Sequence, residues 1–103
     1  AQSEGGIVQG LGYALLEDTV VEGGRILTPS LATYLIPTIA DVPPQVQTVI
    51  LESREPEGPY GAKGIAEIVL TPTAAAILNA VHAATGRRFT TIPLTPERVV
   101  AAL

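Results

Sequence analysis

Gly58-Pro59-Tyr60-Gly61-Ala62-Lys63-Gly64-Ile65-Ala66-Glu67 is the stretch on which the reading of this chain turns. Its three glycines and one proline cannot continue as regular helix or strand. Glycine loses the most backbone entropy on ordering, and proline has no N–H to donate. The stretch is read as a loop, and with so few side chains its backbone can approach a ligand or another chain closely. Directly behind it, Ile65-Ala66-Glu67-Ile68-Val69-Leu70 sets one acid in an apolar run. A carboxylate among such neighbours is expected to be desolvated. It must then be paired, or become basic enough for proton transfer.

Upstream of the loop, Ile7, Val8, Leu11, Leu15 and Leu16 fall at helical spacing, with Ser3 as the expected N-cap. Gly5, Gly6, Gly10 and Gly12 each cost that helix roughly 1 kcal/mol against Ala. Gly6 and Gly10 share a face, which suits close packing of another backbone or of a cofactor. Thr19 to Leu27 places two β-prone runs around Gly23-Gly24, a hairpin signal. Residues 28–44 hold four prolines and read as irregular chain anchored by Tyr34-Leu35-Ile36. Residues 45–53, with Val46, Val49, Ile50 and Leu51, form the strongest predicted strand. Glu52, Arg54, Glu55 and Glu57 behind it read as a solvated edge.

Downstream, Thr71-Pro72 predicts a helix start, and Ala74, Ile77, Leu78, Val81 and Ala84 form its buried stripe. Gly86 ends it, with Arg87 and Arg88 at the negative pole of the dipole. Residues 89–94 read as a short strand, and Thr95-Pro96-Glu97 opens a last helix. The predicted class is α+β: short strands with about three helices, in one unit over residues 1–103.

Composition narrows the function. Hydrophobic residues make up 47% of the 103 and charged ones 16%, below the usual quarter. A chain this apolar for its size is expected to have part of its surface covered by other protein. Net charge is −4, with no basic run and little aromatic content, which argues against nucleic-acid binding. The chain has no Cys, so it forms no disulfide, thiolate metal site or Cys-ligated cluster of its own. No apolar run is expected to span a bilayer. The start without Met, in mid-pattern, leads us to expect a fragment or a processed product.

Several residues carry two readings. Glu67 is a proton-transfer group, or an acid paired with Lys63 or reaching solvent. Lys63 neutralises an anionic ligand, or is an exposed loop lysine. The loop is not a Walker motif, because the Gly-Lys-Ser/Thr ending is absent. His82, the only histidine, reads as a packed or surface residue, and nothing clusters with it to bind metal. Gln9 faces solvent or hydrogen-bonds a cofactor or neighbouring domain. Tyr60 stacks on a substrate or anchors the loop.

Three pieces in order carry a resemblance: Glu4-Gly5-Gly6-Ile7-Val8-Gln9-Gly10-Leu11-Gly12; then Thr28-Pro29-Ser30, Tyr34-Leu35-Ile36-Pro37 and Asp41-Val42-Pro43; then Gly58 through Glu67. With them the chain resembles the C-terminal segment of the large, molybdenum-cofactor-binding subunit of the xanthine dehydrogenase/aldehyde oxidase family of molybdenum hydroxylases. The resemblance implies a fragment of a larger molybdopterin-binding domain, whose other cofactor segments lie upstream. It implies that Glu67 is the active-site general base, acting on a molybdenum-bound hydroxyl, and that Lys63, Gly64, Ile65 and Ala66 lie against the molybdopterin through their backbone. Many relatives carry Gly where this chain has Ala66. Implied partners are the rest of the large subunit, 2Fe-2S and FAD modules, and a small-molecule substrate, an aldehyde or N-heterocycle; a cytoplasmic location is expected. By itself the chain is expected to be inert. Two other classes stay open: a non-catalytic assembly module with Glu67 as a structural acid, and an independent anion- or nucleotide-binding domain using Lys63.

Overall fold

The computed structural model describes residues 1–103. The apolar repeat near the start forms α1, Gln2–Leu15, which begins two residues earlier than predicted; Ala1, not Ser3, occupies the N-cap position. Two short strands follow, β1 (Val21–Glu22) and β2 (Arg25–Ile26), paired antiparallel with Val21 opposite Ile26 and Glu22 opposite Arg25. Gly23 and Gly24 join them with φ of 55° and 77°. Positive φ at both central residues is what a tight hairpin matching the strand twist requires. After a long irregular stretch and a 3₁₀ turn, Pro59–Gly61, come α2 (Glu67–Leu70), α3 (Thr73–Thr85) and α4 (Pro96–Ala102). The class is α+β, as the sequence predicts.

Helix ends follow local chemistry at two sites. Gly86 closes α3 in the left-handed conformation, its N–H donating to the His82 carbonyl at 2.8 Å. Thr95 caps α4 by accepting from the Arg98 N–H, with Pro96 at the first helical position. Glu97 in that first turn is held below the usual carboxylate range, first by its own backbone N–H and then by the Thr95 hydroxyl. Its folded-state stabilisation is therefore present above the ordinary carboxylate range and is lost as pH falls through the lowered value.

Three expectations are corrected. Thr71-Pro72 does not cap α3: Thr71 ends α2 in helical geometry, Pro72 takes the cap position, and no side-chain bond forms there. The near-continuity of α2 into α3 leaves Thr71 no room to turn its hydroxyl back. Residues 89–94 are irregular rather than a strand. They dock through the Leu94 N–H to the Ala14 carbonyl at 2.6 Å and through the Arg98 guanidinium donating to the Pro93 carbonyl, and Pro93 has no N–H for a ladder. Residues 45–53 are likewise not a strand, because no neighbouring strand is present to pair with them.

The centre is small and built on glycine. Gly6, Gly10, Gly12 and Ala14 are the buried residues of α1, and with Leu94 they make up most of its interior. A Cβ on Gly10 would lie 2.6 Å from the Cβ of Thr73, and one on Gly6 would lie 2.7 Å from the Ala66 carbonyl oxygen. The bare face read from Gly6 and Gly10 is therefore occupied by α2 and α3 rather than by a cofactor. Gly10→Val is expected to push α1 off α3 and destabilise the assembled subunit by about 3 kcal/mol, the upper part of the overpacking range. Its thermal midpoint reads this out; an unchanged midpoint would show that the two helices separate freely.

Most of the surface is unusually open. Only 6 of 103 residues are buried, and the accessible surface is 7910 Å². A self-contained domain of 10.7 kDa exposes about 5,500 Å². The radius of gyration is 16.7 Å, against about 13 Å for a compact chain of this length. Backbone–backbone hydrogen bonds number 46, where about 70 are usual. Taken together, residues Glu67–Thr85 are long and apolar enough to cross a bilayer by length and composition alone. The run is nevertheless broken at Thr71 and Pro72, starts on Glu67, and packs through Thr73 onto Gly10.

Candidate functional site

The glycine-rich loop is held from behind. Gly58 N–H donates to the Glu55 carbonyl, Gly61 N–H to Gly58 and Glu55 N–H to Gly61, at 3.1, 2.9 and 3.2 Å. Gly58 packs its bare Cα against the Ala62 carbonyl, where a side chain has no room. Tyr60 sits at φ 55°, ψ 20° and Gly61 at φ 78°, so the chain turns sharply and leaves the Tyr60 ring fully exposed. Lys63 Nζ donates to Ser53 Oγ at 2.6 Å, tying the loop to the end of residues 45–53. Of the alternatives for Glu67, pairing with Lys63 is not met: no ion pair joins them.

Beyond Ala62 the backbone is bare. The N–H groups of Lys63, Gly64, Ile65 and Ala66 donate to no protein acceptor, and nothing lies within 4 Å of where a Gly64 side chain would start. Free backbone amides are donors suited to oxygen-rich, anionic groups. No cluster of three or more His, Asp or Glu side chains could itself hold a metal ion. A cofactor that brings its own metal ligands and oxygen acceptors would fit such a donor set.

Ala66 then turns the chain into α2. It has φ 90° and ψ −93°, a region that glycine enters freely and a Cβ does not. Its carbonyl oxygen accepts from the Val69 N–H at 3.0 Å and is the atom nearest the bare Cα of Gly6. Strain of this kind costs about 1–3 kcal/mol and persists where the surroundings over-determine it. Ala66→Gly is expected to raise stability by about 1 kcal/mol, net of glycine's larger backbone entropy. Thermal unfolding of the complete subunit measures this. A lower midpoint would mean that the Ala66 methyl makes packing contacts worth more than the strain.

Glu67 is the first residue of α2, and it is exposed. The expectation of a desolvated carboxylate is not met within this chain. The reason lies beside it, since Ile65 is 56% and Ile68 65% exposed, so no apolar wall closes over the acid. None of the clefts is lined by Glu67. The largest, about 480 Å³, lies between α1, α3 and α4 against Leu15, Val81, Leu94 and Val99, away from the loop.

The other candidates separate from the site. Gln9 lines a cleft with Glu17 and Pro37 on the α1 flank. Glu17 accepts from Tyr34 Oη at 2.7 Å, a bond that raises the phenol above its ordinary value and that sequence reasoning missed. The two residues are seventeen apart, and no spacing rule joins them. His82 has its Nδ1 buried without a partner on α3.

Comparison with known proteins places this arrangement. A family profile described as "Molybdopterin cofactor-binding domain" matches residues 1–43. A putative xanthine dehydrogenase molybdenum-binding subunit of Escherichia coli K12 is 41% identical over 100 residues, covering 95% of this chain and 13% of that protein. An aldehyde oxidoreductase of Megalodesulfovibrio gigas is 37% identical over 110 residues, covering 99% of this chain and 11% of the relative. The crystal structure of quinoline 2-oxidoreductase from Pseudomonas putida 86 superposes with a TM-score of 0.87 at 37% identity, over 98% of this chain and 13% of that one. The chain thus spans only about an eighth of the length of these relatives. At this identity, with the fold matched along almost its whole length, the chain belongs to the xanthine dehydrogenase/aldehyde oxidase family of molybdenum hydroxylases, as a segment of the molybdenum-binding subunit.

Proposed function

We propose that this chain supplies Glu67 as the general base, and the Lys63, Gly64, Ile65 and Ala66 backbone as a cofactor cradle, to an enzyme that hydroxylates an aldehyde or N-heterocycle with water as oxygen source. The observation that carries the reading is one juxtaposition: four consecutive unpartnered amides lead directly into an exposed, unpaired carboxylate. When bound, the molybdenum cofactor supplies the two-electron acceptor. The amides of the loop hold its oxygen acceptors, and Lys63, anchored on Ser53, holds the loop. Ala66 aims the start of α2, and with it Glu67, from a backbone conformation that the Gly6 contact braces. Glu67 takes up the proton released as the water-derived oxygen attacks the electron-poor carbon of the substrate. Ile65 and Ile68, exposed here, provide an apolar collar that excludes water once the remainder of the subunit covers them.

Alone, one loop cannot retain the cofactor, so the activity belongs to the assembly. Its partners are the remainder of the subunit and iron–sulfur and flavin modules that carry the electrons away. Glu67→Ala in the complete enzyme tests the base role. Turnover is expected to fall and to rise again with added formate, because a small carboxylate fits the space left by the side chain. Turnover near wild type without formate would reject the role.

A further inference from the structure

We propose that Thr73 is a positioning residue for Glu67: its hydroxyl, and its seat on Gly10, pin the far end of the turn that aims the carboxylate. The inference rests on the reading of Glu67 as the base. Thr73 acts through the turn and not on the reacting atoms.

α2 is a single turn, Glu67–Leu70. One turn fixes several dihedrals for very few hydrogen bonds and does not hold itself. Its direction is therefore set by what it is tied to. Behind it Pro72 has no N–H, so the bond that would carry the helix on from the Ile68 carbonyl is missing. The Thr73 hydroxyl spans that break, donating to the Val69 carbonyl at 3.1 Å.

The packing of Thr73 is equally close. A Cβ on Gly10 would lie 2.6, 2.9 and 3.0 Å from its Cβ, Oγ1 and Cγ2. One turn earlier on α1, a Cβ on Gly6 would lie 2.7 Å from the Ala66 carbonyl oxygen and 3.0 Å from the Val69 Cβ. Ala66, Val69, Leu70 and Thr73 are half-buried at the spacing of one helix face, and Glu67 and Ile68 are exposed on the side away from it. How the inner face sits on α1 thus decides where the carboxylate points.

Backbone strain makes the second anchor necessary. Ala66 enters the turn at φ 90° and ψ −93°, a conformation that its Cβ resists and that persists only where the surroundings hold it. It would relax by letting the turn swing, and a contact at Gly6 alone is a pivot for that swing. Thr73 on Gly10 adds a second fixed point, so the turn is held at both ends.

Thr73→Val in the complete enzyme tests this, because the shape on Gly10 is kept and only the hydroxyl is lost. Reduction of molybdenum in a single turnover is expected to slow about tenfold or more, the scale of an ångström-level misplacement. Molybdenum content and substrate affinity are expected to stay unchanged. The Val69 amide, bonded to the Ala66 carbonyl, is expected to exchange with solvent about fivefold faster, the factor of one ordinary hydrogen bond. The amides of α3 from residue 77 onward keep their wild-type rates. Thr73→Ser, which restores the donor, is expected to recover most of both losses. Either wild-type Val69 exchange in Thr73→Val, or a wild-type reduction rate with Glu67→Gln slowed beside it, would overturn the proposal. So would loss of molybdenum from Thr73→Val, which would assign the hydroxyl to folding, or a Thr73→Ser no better than Thr73→Val. A Glu67→Gln enzyme that reduces at the wild-type rate would sink the base role instead, and the Val69 exchange then decides whether Thr73 holds the turn.

Discussion

Produced alone, the 103-residue chain is expected to carry no molybdenum and to show no cooperative unfolding transition. The fold accounts for both. Apart from glycines, only Ala14, Pro93 and Leu94 are buried, and sixteen large hydrophobic side chains are exposed. Ordering a residue costs about 1–2 kcal/mol of backbone entropy, and burial on so small a scale cannot offset that over the whole chain. The helices have a local reason to form, since Gly86 and Thr95 supply their stops and starts, but the long stretch between β2 and the loop has only short turns, at Ser30–Tyr34 and Thr38–Asp41. The cofactor is lost for a related reason. Four loop amides can contact one edge of a large ligand, whereas retention needs a surface that buries most of it. Metal analysis of the purified chain and a thermal scan check these outcomes together. Stoichiometric molybdenum, or a sharp two-state transition, would show that the segment is a domain in its own right.

The contrast between helices and strands explains how far the sequence could be read. α1, α3 and α4 are specified by neighbours three and four residues apart, with Gly86 ending α3 and Thr95 starting α4, and all three appear where periodicity puts them. The hairpin is equally local, resting on Gly23-Gly24. Residues 45–53 and 89–94 have strand composition but form no strand, because a strand is completed by partners distant in sequence, and no other strand of this chain pairs with either. The Thr71-Pro72 error has another origin: the signal for a start was genuine, but α2 preceded it and took Thr71 as its end.

The site divides the same way. The loop, its close turns and its bare backbone follow from Gly58, Pro59, Gly61 and Gly64. The exposure of Glu67 does not, because whether a carboxylate is dry depends on what stands opposite it. Ala66 shows the converse. Its methyl reads as a minor feature in sequence, and the structure reveals it at φ 90°, in the residue immediately before Glu67. Gly6, read as a site of close packing, proves to be the contact behind that residue.

Glu67→Gln in the complete enzyme carries the largest expected effect. The amide matches the carboxylate in size and can still hydrogen-bond, but it cannot take up a proton. Glu67 is exposed and unpaired in this chain, so the exchange removes no packing and no ion pair that holds the loop. General-base catalysis contributes about 10²–10⁴ in rate, and the loss should fall in that range. A purely structural acid in an assembly module would leave the rate nearly unchanged. The most direct measurement is the rate at which substrate reduces molybdenum in a single turnover of this variant, with metal content determined on the same sample. The expected result is full molybdenum occupancy with reduction slowed at least about a hundredfold. Reduction at the wild-type rate, with occupancy intact, would contradict Glu67 as the base.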